Sequence, residues 1–156
     1  FYVFEAFDWD LFFSEQDSEF RSIVQPRIYG SDKEMKCLSY SKKNAKIAGV
    51  EKYIRFNRID VEWLDTKFEE HELTKIVTNP PFIGKSADEK IVRKLYDEFF
   101  HQADFVLEKK GKIIMIARSF DLLVECATKN NFVVEKSILV NNGDEELRFV
   151  MFKKKI

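Results

Sequence analysis

The chain has 156 residues, 45% hydrophobic and 34% charged, which is typical of one soluble globular domain. Its formal charge of −1 excludes a strongly basic domain that binds nucleic acid by itself. Cys37 and Cys126 lie far apart and form no metal-binding spacing, so we expect reduced thiols and no metal. With no apolar run of membrane-spanning length and no visible signal peptide, we expect a cytoplasmic protein without a membrane partner.

The first part of the chain predicts a weak helix, a short strand and a longer helix. The weak helical pattern covers residues 8–25 and ends at Pro26. Residues 27–32 predict a strand that runs into a turn. Residues 33–48 predict the longer helix, which Gly49 ends because glycine readily adopts the left-handed backbone conformation.

Asp32 closes the first predicted strand, immediately before the helix. A carboxylate at this position can accept hydrogen bonds from both hydroxyls of a ribose, as it does in dinucleotide-binding folds. An aspartate here can equally be the N-cap of the helix. The spacing alone leaves both roles open.

Asp60 follows the second predicted strand, which covers residues 54–57. An acid just past such a strand can accept a hydrogen bond from an adenine amino group. The alternative is an ordinary turn residue, a position that aspartate favours. The acidic stretch 62–71 predicts a turn that faces solvent.

The third predicted strand ends in a stiff polar loop. Ile76 and Val77 predict the end of a buried strand, and Pro80 and Pro81 must stop it because proline donates no ladder hydrogen bond. Asn79 precedes a proline and is therefore held in an extended conformation. The loop presents an amide and an aromatic ring at a strand's carboxyl end, where open α/β sheets bind ligands.

This loop suits the methylation of an amine that is conjugated to a ring or a carbonyl. The Asn79 side-chain oxygen and the Pro80 carbonyl can accept the two N–H groups and turn the nitrogen lone pair towards a sulfonium methyl group. Phe82 can stack on a flat substrate. The alternative is a rigid strand-to-helix turn with Phe82 in the core.

The rest of the chain predicts two helices and three strands. A long helix starts within residues 86–89, with Ser86 as its N-cap, and ends at Gly111. Residues 112–117 predict a fully buried strand of a parallel sheet. Apolar residues at helical spacing predict the core-facing stripe of the long helix: Ile91, Leu95, Phe99, Ala103 and Val106.

Ser119 begins a second helix that ends at Lys129. Residues 132–140 and 147–154 predict two strands of a hairpin, whose Asn-Gly loop is longer than two residues. Strands alternate with helices before this closing antiparallel hairpin. The order predicts an α/β sandwich with a mostly parallel sheet.

The sequence Asn79-Pro80-Pro81-Phe82 resembles the catalytic motif of the Rossmann-like amino-methyltransferases that use S-adenosylmethionine. The wider chain resembles, over nearly its whole length, the RNA guanine-N2 methyltransferases that carry a THUMP domain. The resemblance implies that Asn79 and Pro80 orient the amine beside the cofactor. It also implies that Pro81 and Phe82 contact the substrate base, and that no metal is used.

The same resemblance implies how the cofactor is held. Asp32 is expected to bind the ribose of S-adenosylmethionine, Asp60 to contact the adenine, and Ile59 to lie near the adenine ring. The segment 142–149 is similar to the family's final hairpin. Ile83 displaces Gly84 by one place from the family's pattern.

The most serious departure from the family is that the first strand and its glycine-rich cofactor loop are absent. The chain has only five glycines, none of them in such a cluster. We therefore expect residues 1–156 to be a partial catalytic domain of a longer protein, with a THUMP domain upstream, that binds the cofactor poorly as given. In the family, the missing strand lies between the strands that end at Asp32 and Asn79.

The sequence thus leads to one hypothesis and its rivals. We expect an RNA methyltransferase that acts on the exocyclic N2 amine of a guanine, with tRNA as the RNA, gripped mainly by an upstream RNA-binding domain. The enzyme alternatives are adenine-N6 and protein-glutamine methylation, which also present a planar amine. The alternative from another class is a non-catalytic RNA-binding or scaffold remnant that lost the cofactor.

Overall fold

The structure is a computed structural model, and it describes residues 7–18, 28–84, 88–143 and 145–155. The chain divides into two compact units, Phe1–Arg58 and Ile59–Ile156. No helix in the described ranges is both long enough and apolar enough to cross a membrane.

In its described residues, the first unit contains two helices and a two-stranded sheet. Its elements are α1 (Trp9–Ser18), β1 (Ile28–Asp32), α2 (Met35–Ile47) and β2 (Ile54–Arg58), with a short 3₁₀ turn, Glu51–Tyr53, before β2. The two strands pair in parallel. The predicted order of helix, strand, helix and strand is confirmed, while residues 19–27 of the weak helical pattern and its end lie outside the described residues.

The predicted end of α2 at Gly49 is confirmed. Gly49 has a φ of 71°, and its N–H donates to the carbonyl of Lys46. The N–H of Val50 donates to the carbonyl of Ala45, which completes the paired hydrogen bonds of a Schellman motif.

The second unit is built on a four-stranded mixed sheet with two helices. Its elements are a 3₁₀ helix (Val61–Thr66), β3 (Leu73–Thr78), α3 (Glu89–Val106), β4 (Leu107–Ala117), α4 (Phe120–Lys129), β5 (Phe132–Asn142) and β6 (Glu145–Lys154). The strand order is β3-β4-β6-β5, with β3 parallel to β4 and the other pairs antiparallel. The predicted α/β class and closing antiparallel hairpin are confirmed.

The core of the second unit lies between α3, α4 and one face of the sheet. Phe100 of α3 is fully buried, with its ring centroid 5.5 Å from that of Phe132 and 5.3 Å from that of Phe152. Ile113 and Met115 of β4 point into the same cluster. This aromatic packing fixes α3 on the sheet and so determines where its side chains can reach.

The predicted start and core-facing stripe of α3 need correction. Ser86 lies outside the described residues, and the N-cap is Asp88, whose carboxylate accepts the N–H of Ile91 at 3.0 Å. Ile91 was expected in the core but is 61% exposed. The buried stripe begins one residue later, with Val92 and Tyr96, because the helix packs in a slightly rotated orientation.

The sequence predicts that α3 ends at Gly111, and this prediction is wrong. The helix ends at Val106, and Gly111 lies within β4. A Cβ at this position would lie 2.5 Å from Cγ of Leu107, so glycine is required for close approach rather than for ending a helix. A register shift between β3 and β4 accommodates this stretch.

The sheet is buried on one face only, so the predicted burial of β3 and of the strand over residues 112–117 is half right. Ile76 packs against the core, whereas Val77 on the other face is 73% exposed. Ile116 of β4 is likewise 40% exposed. The reason is that α3 and α4 both pack against the face that carries Ile76.

The C-terminal hairpin is tighter than predicted. Asn142 of β5 pairs with Glu145 of β6, so only two residues connect the strands. Gly143 in this connection has a φ of 62°, which the two-residue hairpin turns of the primed types require. The predicted longer loop is therefore wrong, because both strands extend further than their apolar pattern.

Candidate functional site

The loop after β3 exposes the amide that the sequence singled out. Asn79 directly follows the last residue of β3 and is exposed, while Pro80 is half-buried. The Asn79 side chain makes no hydrogen bond to any other residue that the structure describes. The arrangement leaves the amide oxygen and nitrogen available to a ligand, as the motif predicts.

Two contacts, both missed from the sequence, hold this loop. Tyr96 of α3 donates a hydrogen bond from its hydroxyl to the carbonyl oxygen of Pro81, over 2.7 Å. Burial raises the pKa of Tyr96 to about 12, so the hydroxyl keeps its proton at neutral pH. The Ser119 hydroxyl accepts the N–H of Ile83 over a longer 3.4 Å. The loop is thus attached to the start of α4 and to the middle of α3.

Phe82 is not a core residue, which excludes the structural alternative for its ring. Its side chain is 37% exposed. The guanidinium carbon of Arg118 lies 3.9 Å from the centroid of the Phe82 ring, a cation–π contact. Arg118 follows the carboxyl end of β4, and sequence reasoning did not single it out. Base stacking on Phe82 remains a prediction.

Asp32 closes β1 as predicted and is half-buried. One of its carboxylate oxygens accepts the N–H of Glu34 over 2.7 Å. Glu34, not Asp32, is the N-cap of α2, so the N-cap alternative that the sequence left open for Asp32 is excluded. Asp32 instead fixes the turn that leads into the helix, which also fixes its carboxylate at the strand's carboxyl end.

Asp60 is the N-cap of the 3₁₀ helix Val61–Thr66. Its side chain is half-buried, and one carboxylate oxygen accepts the N–H of Val61 over 2.7 Å. The turn role that the sequence left open is therefore present. Ile59, expected near the adenine, is half-buried beside Asp60 in the chain.

A separate cavity of about 500 Å³ lies within the second unit. It brings together His71 and His101, which are isolated in sequence, with the charged side chains of Asp104, Lys109 and Lys154. His71 lies just before the amino end of β3, whereas Asn79 follows its carboxyl end. The described residues contain no cluster of three or more His, Cys, Asp or Glu that could hold a metal ion.

Comparison with known proteins adds a family and several relatives. Residues 6–148 match the family model described as RMKL-like, methyltransferase domain. The tRNA (guanine(6)-N2)-methyltransferase of Methanocaldococcus jannaschii is 34% identical over 117 residues, which are 75% of this chain and 30% of that protein. The chain therefore spans less than a third of the length of this relative.

Two solved structures have a similar fold. TrmN from Thermus thermophilus has a TM-score of 0.71 and 26% identity, over 85% of this chain and 37% of its own. SMU.472, solved in complex with SAH, has a TM-score of 0.73 and 18% identity, over 97% and 39% of the two chains. The second likeness, at this identity, shows the fold alone.

Proposed function

Because this chain belongs to the RMKL-like methyltransferase domain family, we propose that it methylates the exocyclic N2 amine of a guanine in RNA, with tRNA as the RNA. The methyl donor is S-adenosylmethionine. The observation that carries the proposal is the exposed amide of Asn79 at the proline-locked carboxyl end of β3. The tRNA guanine-N2 activity named for the Methanocaldococcus jannaschii relative supports the choice of substrate.

Asn79 and Pro80 orient the amine. The Asn79 side-chain oxygen accepts one N–H and the Pro80 carbonyl accepts the other, so that the nitrogen lone pair points at the methyl group. S-adenosylmethionine would supply the methyl group and leave as S-adenosylhomocysteine, while the substrate amine would lose one proton to solvent. Because solvent takes this proton, we assign no general base to the chain.

Phe82 and Pro81 bind the flat base. A guanine inside a helix cannot reach the loop, so the base has to be flipped out of its stack. The Phe82 ring is 37% exposed and offers its accessible surface for stacking. Pro81 adds an exposed apolar ring beside it.

The cofactor is bound through Asp32, Ile59 and Asp60. As the family resemblance implies, Asp32 would accept hydrogen bonds from the ribose hydroxyls and Asp60 would accept one from the adenine amino group, with Ile59 near the adenine ring. Carboxylates suit both tasks, because each oxygen can accept more than one hydrogen bond. The chain itself holds the cofactor and orients the substrate amine.

The remaining parts of the proposal concern the surroundings of the enzyme. A net charge of −1 supports a division of labour in which another, upstream RNA-binding domain makes most of the phosphate contacts. On this proposal residues 1–156 are part of a longer catalytic protein. The free thiols of Cys37 and Cys126 support a reducing compartment such as the cytoplasm.

The test is to incubate the full-length protein with labelled S-adenosylmethionine in four parallel reactions. Each reaction contains one candidate substrate: tRNA, ribosomal RNA, DNA or cell protein. We expect label in tRNA and, by mass spectrometry of nucleosides, N2-methylguanosine. N6-methyladenosine or methylglutamine as the product would contradict the guanine proposal. Calorimetry that detects no S-adenosylmethionine binding would instead favour a non-catalytic scaffold.

A further inference from the structure

Tyr96 connects the buried part of α3 with the loop that carries Asn79. Its side chain is 1% exposed and its hydroxyl donates a 2.7 Å hydrogen bond to the carbonyl oxygen of Pro81. Pro81 has no N–H, so this carbonyl is its one hydrogen-bonding group. The bond therefore joins a side chain fixed by core packing to the middle of the loop.

The loop depends on such an anchor because its prolines end the strand pairing. The ladder between β3 and β4 runs as far as Thr78, and Pro80 and Pro81 have no N–H with which to extend it. The contact between Ile83 and Ser119 is 3.4 Å long and correspondingly weak. The Tyr96 bond is the shorter of the two and restrains the loop more tightly.

A carbonyl oxygen only accepts, so the Tyr96 hydroxyl must keep its proton to donate this hydrogen bond. It keeps that proton at every pH near neutrality. Burial raises the pKa of Tyr96 to about 12, far above neutrality. The hydrogen bond to Pro81 is consequently present whether the medium is mildly acidic or mildly alkaline.

We propose that Tyr96 is a positioning residue for methyl transfer, which through the Pro81 carbonyl fixes the direction in which Asn79 and Pro80 present their acceptors. The inference rests on the proposed function. Reacting atoms have to lie about 3–3.5 Å apart with the lone pair aligned, and a displacement of about 1 Å can reduce the rate about 100-fold. A restraint in the middle of the loop controls that displacement without touching the substrate.

The test is Tyr96→Phe in the full-length protein, which removes the hydroxyl and keeps the buried ring. We expect kcat to fall about 10- to 100-fold because the acceptors lose their alignment. The dissociation constant of S-adenosylmethionine, measured by calorimetry, is expected to stay within about twofold, since the lost hydrogen bond is to Pro81 and not to a residue assigned to the cofactor. Hydrogen exchange followed by mass spectrometry is expected to show faster exchange at the amides of Phe82 and Ile83.

The matched control is Val106→Ala, which opens a cavity in the core at the far end of α3, where Val106 is fully buried. It is expected to lower the melting temperature while leaving kcat and the exchange of residues 82–84 unchanged. An equal loss of kcat in this variant would mean that Tyr96 acts through stability alone, and would overturn the proposal.

The hydrogen-exchange measurement separates this inference from the proposed function. If the unaltered protein transfers no methyl group to any substrate, the proposed function fails. The exchange rates of residues 82–84 still report whether Tyr96 restrains the loop. A Tyr96→Phe variant with unchanged exchange and unchanged kcat would overturn the positioning role, even if the unaltered protein is an active methyltransferase.

Discussion

The guanidinium of Arg118 lies 3.9 Å from the centroid of the Phe82 ring, so a cation covers part of an exposed aromatic side chain in the Asn79 loop. The contact joins the end of β4 to the loop after β3. A guanidinium on an aromatic ring fixes the plane of that ring. The stacking surface that Phe82 offers to a base thus depends on a residue that is distant in sequence.

The first prediction follows from this contact. Arg118→Ala is expected to raise the KM for RNA about two- to fivefold, because an exposed cation–π contact contributes about 0.5–1 kcal/mol. The kcat should change little, since Arg118 does not hold the amine. Steady-state kinetics at fixed salt measures both constants.

The control for Arg118 is Arg148→Ala. Arg148 makes a comparable contact with Phe120, with its guanidinium carbon 4.7 Å from the ring centroid, but not with the loop. Its removal is expected to leave the KM for RNA unchanged. An equal rise in KM for both variants would point to general electrostatic attraction instead of an effect on Phe82.

A second prediction concerns the carboxylates assigned to the cofactor. Asp32→Asn and Asp60→Asn are each expected to weaken S-adenosylmethionine binding about 10- to 100-fold, because a hydrogen bond to a charged group contributes about 1.5–3 kcal/mol. Calorimetry of the full-length protein measures the dissociation constants. Asp88→Asn, at the N-cap of α3, is the control and should leave them unchanged. Unaltered binding in the Asp32 and Asp60 variants would remove both residues from the cofactor site.

A third prediction concerns the packing at Gly111. Gly111→Ala would place Cβ 2.5 Å from Cγ of Leu107, a fully buried side chain, and 3.0 Å from the backbone oxygen of Glu108. We expect a loss of about 1–3 kcal/mol in the free energy of unfolding from this overpacking. Urea denaturation measures it, with the exposed neighbour Lys110→Ala as the control. Equal stability of the Gly111 and Lys110 variants would show that β4 relaxes freely.

A fourth prediction concerns alkaline pH. Burial raises the pKa of the Cys126 thiol from 9.0 to about 11. Between these values the unfolded chain loses the proton while the folded chain keeps it, so the free energy of unfolding falls as pH rises from about 9 to 11. Thermal melts against pH measure this, and Cys126→Ala should flatten the slope in that window. A slope in that window that is unchanged in Cys126→Ala would contradict the assignment.

Much of the fold follows from local sequence signals. Apolar side chains recur with strand and helix periods, so the order of elements is readable along the chain. Pro80 and Pro81 end β3 through their own covalent geometry, which places Asn79 at the strand's end without any tertiary information. The end of α2 at Gly49 is similarly local, because it depends on the backbone of one residue.

The contacts that hold the candidate site could not be read in the same way. Tyr96 and Pro81 are 15 residues apart, and their hydrogen bond exists only because α3 packs where it does. In the sequence Tyr96 is one more large residue of a core-facing helix. The role of Gly111 is also not visible in the sequence, because only the folded structure shows that Leu107 leaves no room for a side chain there.

The central claim is that the exposed amide of Asn79 orients an amine for methyl transfer. The most direct measurement is single-turnover methyl transfer to tRNA by the full-length Asn79→Ala variant, with calorimetry of S-adenosylmethionine on the same preparation. We predict a rate at least about 100-fold lower, because orientation is lost, with cofactor affinity retained within a few fold. An unchanged rate with the cofactor bound would contradict the account.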